Sequence, residues 1–298
     1  MTEQLEETYS DRLLAFTLPE RDVRGRVVRL DGVLETILSA HDYPDPIRDL
    51  LAEALVFAAL AGGLLKGEGS QLTIQAQTDE GIVQLLVCDY RDGELRGYVQ
   101  FDEDRLGQAG NDTSLETLFG KGFLAVTFDL ATNGQRYQGI VPLEGNSITA
   151  AFEAYFGQSE QVPTLIRVSV DSNSGRPTAG GILLQHLAEG EEGRERLHVR
   201  MDHPEWEHIA IIADTVRPDE LVDQSLSLEA LLWRLFHEEN EIRVEQGAPL
   251  TRGCRCTTVH FETVLARFPS EERAKMRNDD GVIMVDCAFC SRLFPIQD

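Results

Sequence analysis

Between Arg26 and Leu187, short apolar runs alternate with polar positions and with Gly, Asp and Asn punctuation, a period-two pattern that predicts strands. The segments are Leu72–Gln77, Ile82–Tyr90, Leu95–Phe101, Phe123–Phe128, Tyr137–Val141, Leu165–Val170 and Ile182–Leu187. Arg91-Asp92-Gly93 has the composition of a hairpin turn between the second and third of them. Two stretches break the alternation. Pro46 to Lys66 is rich in Ala and Leu and follows the breaker Tyr43-Pro44-Asp45-Pro46, and Ile148 to Phe156 follows Asn146-Ser147. Both predict helices that pack on the sheet, so the fold class is α+β.

After Leu187 the pattern changes period. Asp202 and Glu205 have capping-box spacing, and Trp206, Ile209, Ala210 and Ala213 follow at helical intervals. Ser227 then stands where an N-cap would, ahead of Leu228, Leu231, Leu232 and Leu235 at i, i+3, i+4 and i+7. These stripes must be buried, either as helices packed permanently on a neighbouring domain or as a detachable cover over an apolar surface. From Glu189 to Glu245 there are 16 acidic residues against 6 Lys or Arg, whereas Ala248 to Asp298 holds 7 of each. The chain therefore divides into an α+β core (1–188), an acidic helical linker (189–247) and a small neutral module (248–298). There is no internal repeat or low-complexity tract.

Across 298 residues, 27 Lys or Arg and 51 Asp or Glu leave a net charge of −24, which argues against a nucleic-acid partner. The longest apolar run, Ala54 to Leu65, has 12 residues, short of the roughly 20 that span a bilayer. Glu3, Glu6 and Glu7 stand where a secretory signal would be basic and then apolar. A cytoplasmic protein without membrane contact is expected.

Four of the five cysteines lie in the last 45 residues, as Cys254-x-Cys256, 30 residues, then Cys287-x-x-Cys290. In an extended segment residues i and i+2 share a face, so Cys254 and Cys256 can aim at one point, while Cys287-Ala288-Phe289-Cys290 has the knuckle spacing of structural zinc sites. Four thiolates at about 2.3 Å satisfy Zn²⁺ and leave no open position for catalysis. The intervening residues predict helices over Thr258 to Phe268 and Ser270 to Arg277, the second capped by Ser270. A turn at Asn278-Asp279-Asp280-Gly281 then leads into strand Val282–Asp286. So small a module depends on its metal, which is worth about 10–16 kcal/mol. The zinc can be purely structural. It can also be a switch, because its thiolates are the form that reacts with peroxide or hypochlorous acid; Cys254–Cys256 and Cys287–Cys290 disulfides would eject the metal and unfold the module. Cys88, alone in an apolar strand, reads as a buried core thiol.

The cysteine spacing resembles that of the heat-shock protein 33 family of redox-regulated holdase chaperones. So do His41-Asp42-Tyr43-Pro44, Leu95-Arg96-Gly97, Arg136-Tyr137-Gln138-Gly139, Leu143-Glu144-Gly145, Tyr155-Phe156 with Ser159-Glu160-Gln161, and Ala179-Gly180-Gly181 with Leu184-Gln185. Leu232-Trp233-Arg234-Leu235-Phe236-His237-Glu238-Glu239 resembles the family's linker signature. The resemblance implies an N-terminal client-binding core, a metastable linker and a C-terminal zinc switch. It implies a protein that is inactive when reduced and zinc-bound. Oxidation releases zinc, exposes apolar surface and favours homodimers that hold unfolding clients for ATP-dependent foldases. Trp206, Ile209, Leu232 and Phe236 are the expected client contacts within the linker. Mutual repulsion among the linker's carboxylates would make its folded state marginal once the zinc module stops supporting it.

Other classes fit poorly. Gly120-Lys121-Gly122 lacks the remaining residues of a phosphate-binding loop and reads as a turn, and His237-Glu238-Glu239-Asn240-Glu241 lacks the second His of a zinc protease. His203 and His208, among carboxylates, read as surface imidazoles. Arg252, Arg255 and Arg267 could serve a nucleic-acid-binding zinc ribbon, but the module is neutral and the chain acidic. No enzyme motif is present.

Overall fold

The structure, a computed structural model, describes residues 10–110, 112–145, 147–172, 176–187 and 203–297. Strands β1 (Arg12–Leu18) and β2 (Val23–Leu30) lead into helices α1 (Gly32–Leu38) and α2 (Asp45–Gly62). A meander of β3 (Gln71–Gln77), β4 (Val83–Arg91) and β5 (Glu94–Phe101) follows, then α3 (Glu103–Ala109) and α4 (Leu115–Phe119). Next come β6 (Phe123–Leu130), β7 (Gln135–Pro142), α5 (Ile148–Tyr155), β8 (Thr164–Asp171) and β9 (Thr178–His186). Helices α6 (Pro204–Asp214), α7 (Pro218–Val222) and α8 (Leu228–Phe236) precede β10 (Arg243–Gln246) and β11 (Thr251–Arg252). The chain closes with α9 (Thr258–Leu265), α10 (Ser270–Met276), β12 (Val282–Asp286) and β13 (Leu293–Gln297).

Two sheets enclose α2. The first has the order β10-β1-β2-β9-β8 and the second β11-β5-β4-β3-β6-β7, while β12 and β13 form a separate hairpin. Because α2 is apolar on all sides from Ala54 to Gly62, with Leu51, Ala54, Leu55, Val56, Phe57, Ala58 and Leu60 completely buried, that part of it fits between two apolar surfaces. Leu13, Val28, Leu30, Ile166 and Leu183 face it from the first sheet, and Leu72, Ile74, Leu86, Cys88 and Val126 from the second. Cys88 is thus a core thiol, and burial holds its proton on. Phe57 stacks on Phe152 of α5, with centroids 3.4 Å apart. Between β4 and β5 the chain reverses through Asp92 (φ 50°) and Gly93 (φ 85°), the two left-handed residues of a type I′ turn.

The first sheet is apolar on its other face as well. Leu14, Phe16, Leu18, Val23, Val27, Leu165, Ile182 and Leu184 form a second core with Trp206, Ile209, Leu221, Leu228, Leu231, Leu232, Leu235 and Phe236 from α6, α7 and α8. Ser227 caps α8 as its spacing predicts, its Oγ accepting from the Ala230 N–H at 3.1 Å. The acidity of these helices is matched across the interface. Arg21 binds Glu205 and Glu239, Arg167 binds Asp214, and Arg12 binds Glu229. Among the described residues, four carboxylates of the acidic segment are thus paired with arginines of the core.

Several expectations are revised. The strand region starts at Arg12, not Arg26, because Arg12, Arg24 and Arg26 on half-buried positions and the buried Arg29 mask the alternation. Strand β9 starts at Thr178, four residues ahead of Ile182, since Ala179-Gly180-Gly181 is strand rather than punctuation. The segment read as all-helical linker contributes β10, which pairs antiparallel with β1. The core–linker boundary at 188/189 and the cap at Asp202 lie outside the described residues. His203 caps α6 instead, its Nδ1 accepting from the Glu205 N–H at 3.3 Å, and its ring packs against His186 at 4.9 Å, so it is not a free surface imidazole. His208 is exposed as expected. The cap of α10 is Pro269, with Ser270 already in the helix.

Phe57→Ala should lower stability by about 3–5 kcal/mol, because the ring leaves a cavity between the sheets; urea unfolding measures it. Burial, then the neighbouring His203, lowers the basicity of His186 against the opposing pull of Asp22 and Glu205. Since the folded pKa lies below the unfolded value of about 6.5, the unfolded chain takes the proton first. Stability is complete above that pH and declines as pH falls toward the folded value. His186→Phe should flatten the loss of denaturation midpoint between about pH 7 and pH 5. Some slope should persist, because burial lowers His41 in the same sense.

Candidate metal centre

Each pair of cysteines is presented by backbone whose shape is fixed next to it. Strand β11 pairs parallel with β5, and the Gly253 N–H donates to the Leu95 carbonyl at 2.9 Å, so Cys254 and Cys256 leave the edge of the second sheet in a defined direction. On the other side, β12 and β13 join through Cys287 to Arg292. There the N–H groups of Cys290 and Ser291 donate to the Cys287 carbonyl at 3.1 and 2.8 Å, and the Cys287 N–H donates to the Arg292 carbonyl at 3.0 Å. A small core of Leu265, Ile283, Phe294 and Ile296, with Phe261 against Phe294 at 4.9 Å, supports the hairpin from α9.

The four sulfurs lie within 4.8 Å of one another, with Cys254 to Cys256 at 3.1 Å, Cys256 to Cys290 at 3.5 Å and Cys254 to Cys287 at 3.6 Å. A tetrahedron of thiolates with Zn–S of about 2.3 Å has edges near 3.8 Å, so the cluster has the size and donor set of a four-thiolate metal site. Without a cation the group resists charge. Burial and the neighbouring thiols raise Cys256 and Cys287. Burial opposes charge on Cys290 too, but the Arg292 N–H and the adjacent thiols outweigh it and bring Cys290 down to about 7. A bound cation would favour the thiolate form, the form of cysteine that ligates metal.

The knuckle also docks the module on the core. The Phe289 ring meets Tyr98 edge-on at 4.9 Å and lies 4.0 Å beneath the guanidinium carbon of Arg96, which Asp89 holds at 2.6 Å. Ser291 Oγ is 3.1 Å from His41 Nδ1, and Arg255 reaches Gln71 at 2.5 Å. Sequence reasoning passed over Phe289 as a spacer and His41 and Arg96 as parts of motifs; an aromatic inside a metal knuckle was the available signal. Arg255 is turned toward the core. The residues expected to contact clients, Trp206, Ile209, Leu232 and Phe236, come together, but in the buried layer beneath α6–α8.

A family model described as Hsp33 protein matches residues 11–297. The chain belongs to the Hsp33 family. It is 40% identical to the 33 kDa chaperonin of Caulobacter vibrioides over 294 residues, covering 96% of this chain and 94% of that one. It is 32% identical to the 33 kDa chaperonin of Shigella boydii over 280 residues, covering 94% and 90%. Its fold matches the crystal structure of the Thermotoga maritima Hsp33 homolog with a TM-score of 0.77 at 23% identity, covering 96% and 95%. Chaperone family, α+β fold and a cysteine cluster able to hold a metal thus agree. Among the described residues no helix is long and apolar enough to cross a membrane.

Phe289→Ala removes both the edge contact and the cation–π contact, and should weaken docking of the module by about 1–2.5 kcal/mol. The expected signature is faster amide exchange at Gly253, with metal stoichiometry unchanged.

Proposed function

We propose that the protein is a cytoplasmic redox-regulated holdase that binds unfolding polypeptides and prevents their aggregation. It has no enzymatic activity and no nucleic-acid or membrane partner. The observation that carries this reading is the pairing of a four-thiol centre docked on the core with a helical cover over a continuous apolar layer. Cys254, Cys256, Cys287 and Cys290 hold one Zn²⁺ in the reduced state, which supplies cross-linking of two otherwise weakly connected segments. At each of the two thiol pairs, one molecule of hypochlorous acid or hydrogen peroxide takes two electrons, giving Cys254–Cys256 and Cys287–Cys290 disulfides, releasing Zn²⁺ and reducing the oxidant to chloride and water, or to water alone.

The module's small core cannot stay folded once its centre is lost, so Phe289 leaves Tyr98 and Arg96 and the strap through β10 and β11 loosens. Helices α6–α8 then separate from the first sheet. Trp206, Ile209, Leu232 and Phe236, with the sheet residues they cover, become the client surface, and the same exposed area favours a homodimer. Clients pass afterwards to ATP-dependent foldases. In this reading 1–188 is the client-binding core, 189–247 the cover and 248–298 the switch.

The test treats reduced, zinc-loaded protein with hypochlorous acid while a chromogenic chelator reports zinc and light scattering reports aggregation of a denatured client. Zinc release and client protection should rise together and reverse with reductant and added zinc. Zinc that leaves with no gain in protection would make the centre structural only.

A further inference from the structure

The apolar layer beneath α6–α8 contains a buried positive charge. Arg29 projects from β2 toward the cover and is completely buried, with no carboxylate among its hydrogen-bond partners in the described residues. Its Nε donates to the Leu221 carbonyl at 2.9 Å, its Nη2 to the Glu220 carbonyl at 3.0 Å and its Nη1 to the Leu226 carbonyl at 2.5 Å. The Glu220 side chain is committed elsewhere, to Arg234 at 2.6 Å and to the Arg217 N–H at 2.9 Å. Burial lowers the basicity of Arg29, and Asp223 opposes this only through its charge.

Sheet register puts Gly180 of β9 opposite Arg29. A Cβ at Gly180 would stand 2.1 Å from the Leu221 carbonyl oxygen, so the loop seats against bare backbone there. Nearby, the Gln224 side-chain amide donates to Thr178 Oγ1 at 2.9 Å. Two adjacent strands therefore form a polar socket for residues 220–226, the end of α7 and the turn into α8.

We propose that Arg29, seated beside Gly180, is the positioning residue that holds the cover on the first sheet. This rests on the reading of α6–α8 as a detachable cover and names what keeps it closed. Three carbonyls converge on one planar guanidinium only while the turn has its folded shape, so distortion of the turn loses all three bonds together. Hydration of the freed guanidinium and carbonyls then favours the open state. The socket thus makes release abrupt, and it acts independently of the thiols.

The experiment uses full-length, reduced, zinc-loaded protein carrying Arg29→Met, Arg29→Lys or Gly180→Ala. Amide hydrogen exchange across 204–236 is read against strands β3–β6, alongside zinc content, free thiols and suppression of client aggregation. In Arg29→Met and Gly180→Ala, exchange across 204–236 should accelerate by roughly tenfold or more while β3–β6 stay protected and zinc and thiols are retained. Client protection should then appear without oxidant. Arg29→Lys keeps the charge but cannot fork to three carbonyls, and should fall between. Unchanged exchange in both Arg29→Met and Gly180→Ala would overturn the proposal, as would equal acceleration throughout the core. Faster exchange at 204–236 with no client protection would uphold the socket and defeat the holdase reading instead.

Discussion

A sheet that is apolar on both faces has to be covered twice, and the rest of this molecule is arranged around that requirement. Every residue of β9, from Thr178 to His186, is buried. One face is closed by α2, which is itself apolar all round from Ala54 to Gly62 and is trapped between two sheets. The other is closed by three short amphipathic helices that come late in the chain. Helix α2 cannot leave without dismantling the protein, whereas α6–α8 have solvent behind them, with Ile211 and Trp233 turned outward. The two covers therefore differ in how much must come apart to remove them.

The thiol centre lies beyond the second cover in sequence but is docked on the opposite sheet. Residues 243–253 bridge the two locations, pairing first with β1 at the edge of one sheet and then with β5 at the edge of the other. Arg96 and Tyr98 on β5 and Phe289 in the knuckle fix the far end of this strap. Mechanical continuity between metal module and cover is thus carried by backbone pairing across two sheet edges, with ion pairs from Arg12 and Arg21 adding charge complementarity along the cover itself.

The middle of the core was readable because its strands alternate cleanly and are punctuated by turn residues, as at Asp92-Gly93. The cysteine cluster was readable because its spacing is chemically restrictive. What escaped reading depends on contacts distant in sequence. Gly180 looks like a turn residue, yet its meaning is the Leu221 carbonyl 2.1 Å from where a side chain would begin. Arg29 looks like one of several arginines in a polar-apolar strand, and only its three carbonyl partners some 190 residues away distinguish it. Acidity in 189–247 suggested repulsion because the arginines that meet Glu205, Asp214, Glu229 and Glu239 belong to β1, β8 and the turn after β1. Trp206, Ile209, Leu232 and Phe236 were recognisable as one apolar set, while the surface they share with Phe16 and Ile182 was not.

Strand β10 is short and exposed, and in pairing with Leu14 to Thr17 it occupies the outer hydrogen-bonding edge of the first sheet. Any arrangement in which residues 243–246 lie elsewhere leaves β1 with a row of unmatched N–H and C=O groups. Such an edge accepts extended main chain by strand addition, whatever its side chains, and folded proteins with satisfied backbones have little to offer it. The segment that leads to the thiol module therefore also closes the outer edge of the first sheet.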